Sequence, residues 1–173
     1  SAFAAPLLKI ADEKEGGGFH LYGGTSVGKS TALEVAASIW GDHDYIHQWR
    51  NTDNAFEAVA LAHNDGLLCL DELHQVDPKA LDKLIYMIAN GRPKGRMRKD
   101  TTLKQAENWL VLPLSVGEVT VEQRLAEGQI KAHGGMESRF ATIAADAGKG
   151  YGLYENIHHF TSGEQLSDHL KQA

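Results

Sequence analysis

A short segment near the amino end of the chain matches a pattern that binds phosphate. Residues 23–30 read Gly-Gly-Thr-Ser-Val-Gly-Lys-Ser and fit G-x-x-x-x-G-K-[ST] without a gap. Glycines let the backbone curl so that successive N–H groups point into one concavity, which cradles nucleotide phosphates. Lys29 then supplies a cation to the β- and γ-phosphates, and the Ser30 hydroxyl is a ligand for Mg²⁺. The residues expected to contact the nucleotide are Gly23, Gly24, Thr25, Ser26, Val27, Gly28, Lys29, Ser30 and Thr31.

Two carboxylates follow a continuous apolar run further along the chain. Residues 67–70 read Leu-Leu-Cys-Leu, which is typical of a strand buried on both faces, and Asp71 and Glu72 come directly after it. The carboxyl ends of parallel strands meet at the edge of the sheet where ligands bind. Asp71 is therefore a candidate ligand for Mg²⁺, and Glu72 is a candidate general base that activates water. The alternative is a strand that ends in a solvated acidic turn.

Further polar positions are candidates for roles in the same chemistry. Ser115 follows the apolar run at 109–114 and fits either a sensor of the γ-phosphate or a serine that merely ends a strand. Arg139 precedes the last apolar segment, where an arginine could act as a finger on the nucleotide of a neighbouring subunit. Asn51 and Thr52 end the second predicted strand and could restrain Glu72, although Thr52 fits a helix cap equally well.

One strongly basic stretch lies between residues 91 and 104. It holds six basic residues against a single aspartate, Asp100, and fits a hairpin that turns at Asp100-Thr101. Such a hairpin presents cations to nucleic-acid phosphates, and its affinity falls steeply with salt. The alternative is a solvated basic loop. The candidate nucleic-acid contacts are Lys94, Arg96, Arg98, Lys99 and Lys104.

Composition restricts the class of protein. The chain has 173 residues, 42% of them hydrophobic and 23% charged, which suits one soluble globular domain. The net charge of −6 argues against a generally basic nucleic-acid coat. No stretch approaches the roughly 18 apolar residues of a membrane span, so we expect no membrane partner. The single cysteine, Cys69, and the lack of a visible secretory signal predict a cytoplasmic location.

Apolar segments alternate with amphipathic ones along the chain. We predict strands at 19–22, 45–49, 67–70, 109–114 and 140–144, and helices at 29–40, 52–63, 78–90, 121–131 and after Ser162. Strands that alternate with helices over one domain indicate a parallel α/β sheet. A strand before residues 23–30 and a helix after them disfavour the alternative that this segment is a glycine-rich turn that binds nothing.

Several of these segments together resemble a known family. It is a conserved-domain family of formerly unknown function that occurs in primase–helicase proteins of phages, plasmids and staphylococcal cassette elements. The family is similar to AAA+ ATPases, and Ser138-Arg139-Phe140 resembles the finger motif of minichromosome-maintenance helicases. The resemblance extends from about residue 6 to residue 160 and rests on residues 17–30, 49–55, 64–73, 88–91, 114–118 and 150–155.

The resemblance implies a fold and an assembly. The fold is a three-layer αβα P-loop ATPase with an AAA+ core, a five-stranded parallel sheet with the phosphate-loop strand at its centre, and an inserted basic β-hairpin. The assembly is a hexameric ring with shared sites for ATP and Mg²⁺, in which Arg139 acts in trans and Ser115 is the first sensor. Residues 1–160 form the ATPase core, and residues 161–173 start a truncated helical lid.

The function that these features favour is a motor domain that couples ATP hydrolysis to movement along single-stranded DNA. It would belong to the replicative helicase of a mobile genetic element and work beside primase or other domains of a longer parent protein. The second candidate is a nucleotide-dependent switch or loader that acts on a protein partner without translocation. A small-molecule kinase ranks third, because Glu72 beside Asp71 favours hydrolysis over transfer to a second substrate.

Overall fold

The computed structural model describes residues 2–93, 108–130 and 135–172. Within them, one sheet contains β1 (Gly18–Tyr22), β2 (Ile46–Gln48), β3 (Leu67–Asp71), β4 (Leu112–Gly117) and β5 (Phe140–Ala144). All neighbouring strands pair in parallel, in the order β2-β3-β4-β1-β5. The predicted α/β class and the parallel sheet of five strands are confirmed.

The strand order places β1 inside the sheet. β1 pairs with β4 on one side and with β5 on the other, so both of its edges are covered. The middle position belongs to β4, which differs from the expectation that the phosphate-loop strand is central. Because all strands point the same way, the residues that follow Tyr22, Asp71 and Gly117 meet at one edge of the sheet.

Helices pack on both faces of this sheet. Along β3, Leu67 and Cys69 pack in one core with Leu33, whereas Leu68 and Leu70 pack in a second core on the opposite face. Cys69 is fully buried, as predicted for a core residue, and burial raises the pKa of its thiol to about 12. The helices are α1 (Leu7–Ile10), α2 (Lys29–Ala37), α3 (Asp53–Ala62), α4 (Pro78–Asn90), α5 (Val121–Glu127), α6 (Met136–Arg139) and α7 (Gly163–Gln172), with 3-10 helices at His43–Tyr45 and Leu73–Gln75.

The ends of several helices are fixed by side chains that the sequence identifies. The side-chain oxygens of Thr52, Asp77 and Ser162 accept hydrogen bonds from backbone N–H groups of the first helical turn, at 3.3, 3.0 and 3.2 Å. Each bond satisfies a donor that a helix start leaves without an intrahelical partner. Gly91 ends α4 with a φ of +65°, and an added Cβ there would lie 2.0 Å from the carbonyl oxygen of Trp109.

β4 begins later than its apolar run predicts. The apolar run predicts a strand at 109–114, whereas the strand covers Leu112–Gly117. Trp109 is instead hydrogen-bonded to the end of α4. Its backbone N–H donates to the carbonyl of Gly91 at 3.0 Å, and its indole N–H donates to the carbonyl of Ile88 at 3.1 Å. The segment is apolar because it is buried, but its hydrogen bonds go to a helix end rather than to a strand.

α2 and α5 are shorter than predicted. α2 ends at Ala37 rather than at residue 40, and α5 ends at Glu127 rather than at residue 131, which lies outside the described residues. A turn follows each end: the N–H of Gly41 donates to the carbonyl of Ala37 at 3.0 Å, and the N–H of Gly128 donates to the carbonyl of Leu125 at 2.9 Å.

Candidate nucleotide site

The phosphate-loop segment, residues 23–30, connects the carboxyl end of β1 to the start of α2. Gly28 precedes the helix with a φ of +93°, a left-handed conformation that glycine adopts without steric cost. The strand and the helix predicted on either side of the loop are both present. This arrangement directs backbone N–H groups and the positive end of the α2 dipole toward the concavity of the loop.

Lys29 is folded back onto its own loop. Its Nζ donates to the carbonyl oxygen of Gly23 at 2.9 Å and to that of Gly24 at 2.7 Å, and only 9% of the residue is exposed. A buried ammonium group needs such acceptors, because burial without a partner is costly. Neutral carbonyls are weaker partners than anionic oxygens. A phosphate bound in the loop would therefore compete successfully with the two carbonyls for the ammonium group of Lys29.

The loop also contacts a residue that sequence reasoning missed. The Thr25 hydroxyl donates to Oε1 of Glu118 at 3.2 Å. Glu118 follows β4 directly, and the last residue of β4 is the register partner of Tyr22, which precedes the loop. A carboxylate therefore lies at the mouth of the loop. Ser30 is exposed, which suits a ligand that arrives from solvent, whereas Thr31 is buried.

Asp71 and Glu72 lie at the carboxyl end of β3, as predicted. Only β4 separates β3 from β1, so two strand spacings, roughly 10 Å, separate the acidic pair from the loop. Asp71 Oδ1 accepts from the N–H of Glu72 at 2.7 Å, and Glu72 has a φ of +62°. Glu72 Oε2 lies 2.9 Å from Nδ1 of His74. The carboxylate of the predicted base is thus held by a nearby histidine.

The predicted restraint of Glu72 by Asn51 or Thr52 is not what the structure shows. The Asn51 side-chain amide donates to the carbonyl of Gln48 at 3.4 Å, and the Thr52 side chain caps α3. Both side chains are engaged by local backbone, and the contact with Glu72 comes from His74. The 3-10 turn that follows β3 brings His74 back to Glu72, and no sequence pattern predicts that turn.

Ser115 lies inside β4, so its predicted position at the end of the strand is wrong. Its neighbours on the adjacent strands are Leu70 and His20, and it is fully buried. The Trp49 indole N–H donates to Ser115 Oγ at 2.8 Å, and Oγ lies 2.9 Å from Nδ1 of His20. His20 Nε2 lies 2.9 Å from the carbonyl oxygen of Val119. The hydroxyl proposed as a phosphate sensor is thus part of an internal network.

One arrangement of protons satisfies every group in this network. The indole of Trp49 can only donate, so Ser115 accepts from it and donates to Nδ1 of His20, whose Nε2–H donates to Val119. The imidazole is neutral in this arrangement, and burial lowers the pKa of His20 below its ordinary value. The network joins Trp49, which follows β2, to the interiors of β4 and β1 and to the loop after β4.

Arg139 lies at the opposite edge of the sheet from the phosphate loop. It precedes Phe140, whose register partner is Gly18 at the start of β1, so the length of a strand separates Arg139 from its own loop. That length is roughly 16 Å for five residues. The guanidinium instead contacts groups at the same edge: the Gly135 carbonyl at 3.0 Å, Glu15 Oε2 at 3.3 Å, Asn90 Oδ1 at 3.4 Å and, at 5.0 Å, the ring centre of Tyr86.

The predicted nucleic-acid contacts lie outside the described residues. The basic stretch that carries them follows α4, whose last residue, Asn90, contacts Arg139. The hairpin therefore stays a prediction. The residues concerned are Lys94, Arg96, Arg98, Lys99 and Lys104.

Two kinds of feature are absent from the part of the chain that the structure describes. No helix there is long and apolar enough to cross a membrane. No group of three or more His, Cys, Asp or Glu side chains there is arranged to hold a metal ion. The Mg²⁺ site predicted at Ser30 and Asp71 would offer oxygen ligands together with substrate phosphates, and it stays a prediction. Oxygen donors shared with a substrate phosphate are the arrangement typical of Mg²⁺.

The fold and this edge of the sheet define an α/β domain that is consistent with a P-loop-like core. The chain belongs to the family described as "Domain of unknown function (DUF927)", whose model matches residues 1–108. The matched range includes the phosphate loop and the Asp71–Glu72 pair. The predicted membership of a family of uncharacterised function is confirmed at this level. No curated protein matches the chain.

A solved structure described as "SCCmec type IV Cch - active helicase" is similar to this chain. The TM-score is 0.64 and the sequence identity is 24%, over 99% of this chain and 28% of that one. This likeness shows a shared fold. The chain thus spans little more than a quarter of the length of that helicase. The relation to minichromosome-maintenance helicases stays a prediction.

The Ser115 network predicts a stability effect. Ser115→Ala removes the acceptor of the Trp49 indole and the donor to His20, and both side chains are fully buried. An unsatisfied buried polar group costs about 1–3 kcal/mol, so we expect the free energy of unfolding to fall by at least about 2 kcal/mol. Unfolding in urea measures the free energy of unfolding of both proteins.

Ser38→Ala is the matched control for this substitution. The Ser38 hydroxyl donates to the carbonyl of Val35 on the exposed surface, so its loss should change the free energy of unfolding by less than about 0.5 kcal/mol. Equal effects of the two substitutions would show that the network does not stabilise the fold.

Proposed function

We propose that this chain is the ATP-hydrolysing motor domain of a helicase from a mobile genetic element. Its core is of the AAA+ type, and it acts as a ring of subunits, a hexamer, on single-stranded DNA. The chain works together with the other domains of a longer parent protein. The similarity to a solved structure described as a helicase supports the proposal of a helicase domain. The proposed chemistry is argued from the residues of the chain itself.

The observation that carries the proposal is the meeting of the phosphate loop and the Asp71–Glu72 pair at one edge of a parallel sheet. The order β3-β4-β1 leaves one strand between them. This gap of roughly 10 Å accommodates a terminal phosphate and its metal ion between the loop and the carboxylates. Ligands of open parallel sheets bind at this edge.

The proposed reaction is in-line attack of water on the γ-phosphate. Glu72 leaves His74 and accepts a proton from the attacking water. Lys29 leaves the carbonyls of Gly23 and Gly24 and binds phosphate oxygens, where it stabilises the charge that develops in the transition state. Ser30 and Asp71 hold Mg²⁺, which when bound offsets phosphate charge.

In this proposal Ser115 does not contact the phosphate but fixes the position of the loop after β4 through hydrogen bonds. Through His20 its network holds the carbonyl of Val119. The residue before Val119 is Glu118, whose carboxylate accepts from Thr25 of the loop. Glu118, which follows β4, thus makes the contact with the loop, and Ser115 acts as a positioning residue.

Arg139 acts in trans in this proposal. Its place at the far edge of the sheet keeps it from the loop of its own chain. It faces the nucleotide of a neighbouring subunit once it exchanges its contacts with Glu15 and Asn90 for a phosphate. An anionic phosphate is a stronger partner for a guanidinium than the Asn90 amide.

ATP hydrolysis as a function of protein concentration tests this function. Because each site takes residues from two subunits, the rate should rise more than linearly with concentration, and further with single-stranded DNA. Lys29→Ala should lower the rate by at least about 10²-fold, since it removes a charge aimed at the transition state. Lys79→Ala, an exposed lysine on α4, is the matched control and should keep the wild-type rate.

Two results would contradict the proposal in different ways. A wild-type rate no higher than that of Lys29→Ala would exclude ATP hydrolysis at the loop. A rate strictly proportional to protein concentration and indifferent to DNA would exclude the ring and the DNA motor, and would favour the nucleotide-dependent switch or loader.

A mixing experiment tests the trans role of Arg139. Arg139→Ala and Glu72→Gln each remove one half of a shared site, so each variant alone should lose at least about 10²-fold in rate. Mixed in equal amounts, they form some sites with Glu72 from one subunit and Arg139 from the other. We expect the mixture to regain a measurable part of the wild-type rate.

Rescue is the decisive outcome of this experiment. Activity of the mixture equal to the mean of the two variants would place Arg139 outside the site. Urea unfolding of Arg139→Ala checks that loss of the contacts with Glu15 and Asn90 has not unfolded the chain.

A further inference from the structure

A cavity of about 410 Å³ lies beside the phosphate loop and is not needed for the phosphate chemistry. One wall consists of residues 26–28 and Thr31, a second of residues 150–152 and Tyr154, and a third of α7. We call it the α7 pocket. The second and third walls lie outside residues 1–108, the range that the family model matches.

The segment after β5 is fixed directly to the phosphate loop. The N–H of Leu153 donates to the carbonyl of Val27 at 2.8 Å. Gly152 has a φ of +65°, and a Cβ there would lie 2.6 Å from the same carbonyl oxygen, so glycine is needed for this approach. A Cβ added at Gly28 would lie 3.7 Å from the ring of Tyr154. An aromatic ring therefore stands next to the backbone that would hold phosphates.

Helix α7 is fixed to the same segment. The hydroxyl groups of Tyr154 and Ser167 are 2.8 Å apart. Glu164, Ser167, Asp168 and Lys171 line the pocket at a spacing of three and four residues, which places them on one face of the helix. The ammonium of Lys171 lies 3.5 Å from a carboxylate oxygen of Glu34, so an acidic partner offsets its charge.

The chemistry of these walls suits the uncharged half of a nucleotide. The carboxylates of Glu164 and Asp168 are exposed acceptors, and an acidic side chain is a common partner of ribose hydroxyls. The same carboxylates repel phosphate, which therefore stays in the loop. The rings of Tyr151 and Tyr154 offer apolar faces for a base. The volume falls within the range of roughly 300–1,000 Å³ that small-molecule pockets occupy.

We propose that the α7 pocket binds the nucleoside half of a ribonucleoside triphosphate. Glu164 and Asp168 accept hydrogen bonds from the ribose hydroxyls, and Tyr151 and Tyr154 contact the base. The pocket thereby selects ribonucleotides over 2′-deoxyribonucleotides. This inference rests on the proposed function, because it requires the phosphates to occupy the adjacent loop. It makes α7 part of the nucleotide site rather than a peripheral helix.

Calorimetric titration in the presence of Mg²⁺ tests the inference with three ligands: ATP, 2′-deoxyATP and tripolyphosphate. We expect the wild type to bind ATP about tenfold more tightly than 2′-deoxyATP, since the lost hydrogen bond is to a charged group. The double variant Glu164→Gln/Asp168→Asn should bind the two nucleotides with nearly equal affinity. The ratio of the affinities for ATP and 2′-deoxyATP does not depend on the two negative charges that the double variant loses, because both nucleotides carry the same phosphates.

Glu155→Gln is the matched control, because Glu155 is an exposed carboxylate that does not line the pocket. It should keep the wild-type ratio. Equal wild-type affinities for ATP and 2′-deoxyATP, or an unchanged ratio in the double variant, would overturn the inference. Tripolyphosphate binding as tight as that of ATP would also overturn it but leave the phosphate loop intact. Failure of the wild type to bind any of the three would instead overturn the proposed function.

Discussion

All five strands of the sheet run in the same direction, and this polarity decides which residues of the chain can meet. Because β1, β3 and β4 all point the same way, the phosphate loop, the acidic pair and Glu118 come to one edge of the sheet. The same polarity puts Arg139 at the other edge, since it precedes β5 rather than following it. Strand direction alone thus separates Arg139, which is proposed to act on another chain, from the groups that are proposed to act within one chain.

That edge is supported by buried polar contacts as well as by apolar packing. Trp49, Ser115 and His20 connect three strands through hydrogen bonds in which every donor has an acceptor. A satisfied buried network is directional, so it fixes the relative position of strands more tightly than apolar contact does. Val119, at the end of this network, adjoins the Glu118 carboxylate that contacts the loop. The neutral state of His20, favoured by its burial, belongs to the same arrangement.

Much of the fold could be predicted because its signals are local. Local residues predict both ends of the helix Pro78–Asn90: a capping residue followed by proline marks its start, and Gly91 marks its end. The phosphate loop is contiguous, and its flanking strand and helix follow from short patterns. The boundary of β4 could not be predicted, because Trp109 is as apolar as a strand residue but bonds to the end of α4.

The contacts of the site depend on long-range packing and were harder to predict. The position of Ser115 could not be predicted because it depends on the boundary of β4: a serine expected at the end of the strand lies inside it and is fully buried. Turns and strand order bring distant residues together, and no local pattern encodes them. Examples are the contact of Thr25 with Glu118, the contact of Glu72 with His74, and the α7 pocket. The residue types of the site could be identified from sequence, but not their partners.

The proposed function depends on the binding of nucleotide phosphates by residues 23–30 through Lys29. Titration of the purified chain with ATP and Mg²⁺, followed by calorimetry, tests it most directly. We expect saturable binding that Lys29→Ala weakens at least about tenfold, because a hydrogen bond between charged groups is lost, and that Lys79→Ala leaves unchanged. Equal affinity of the wild type and Lys29→Ala, or no binding by the wild type, would show that Lys29 does not bind nucleotide phosphates in this loop.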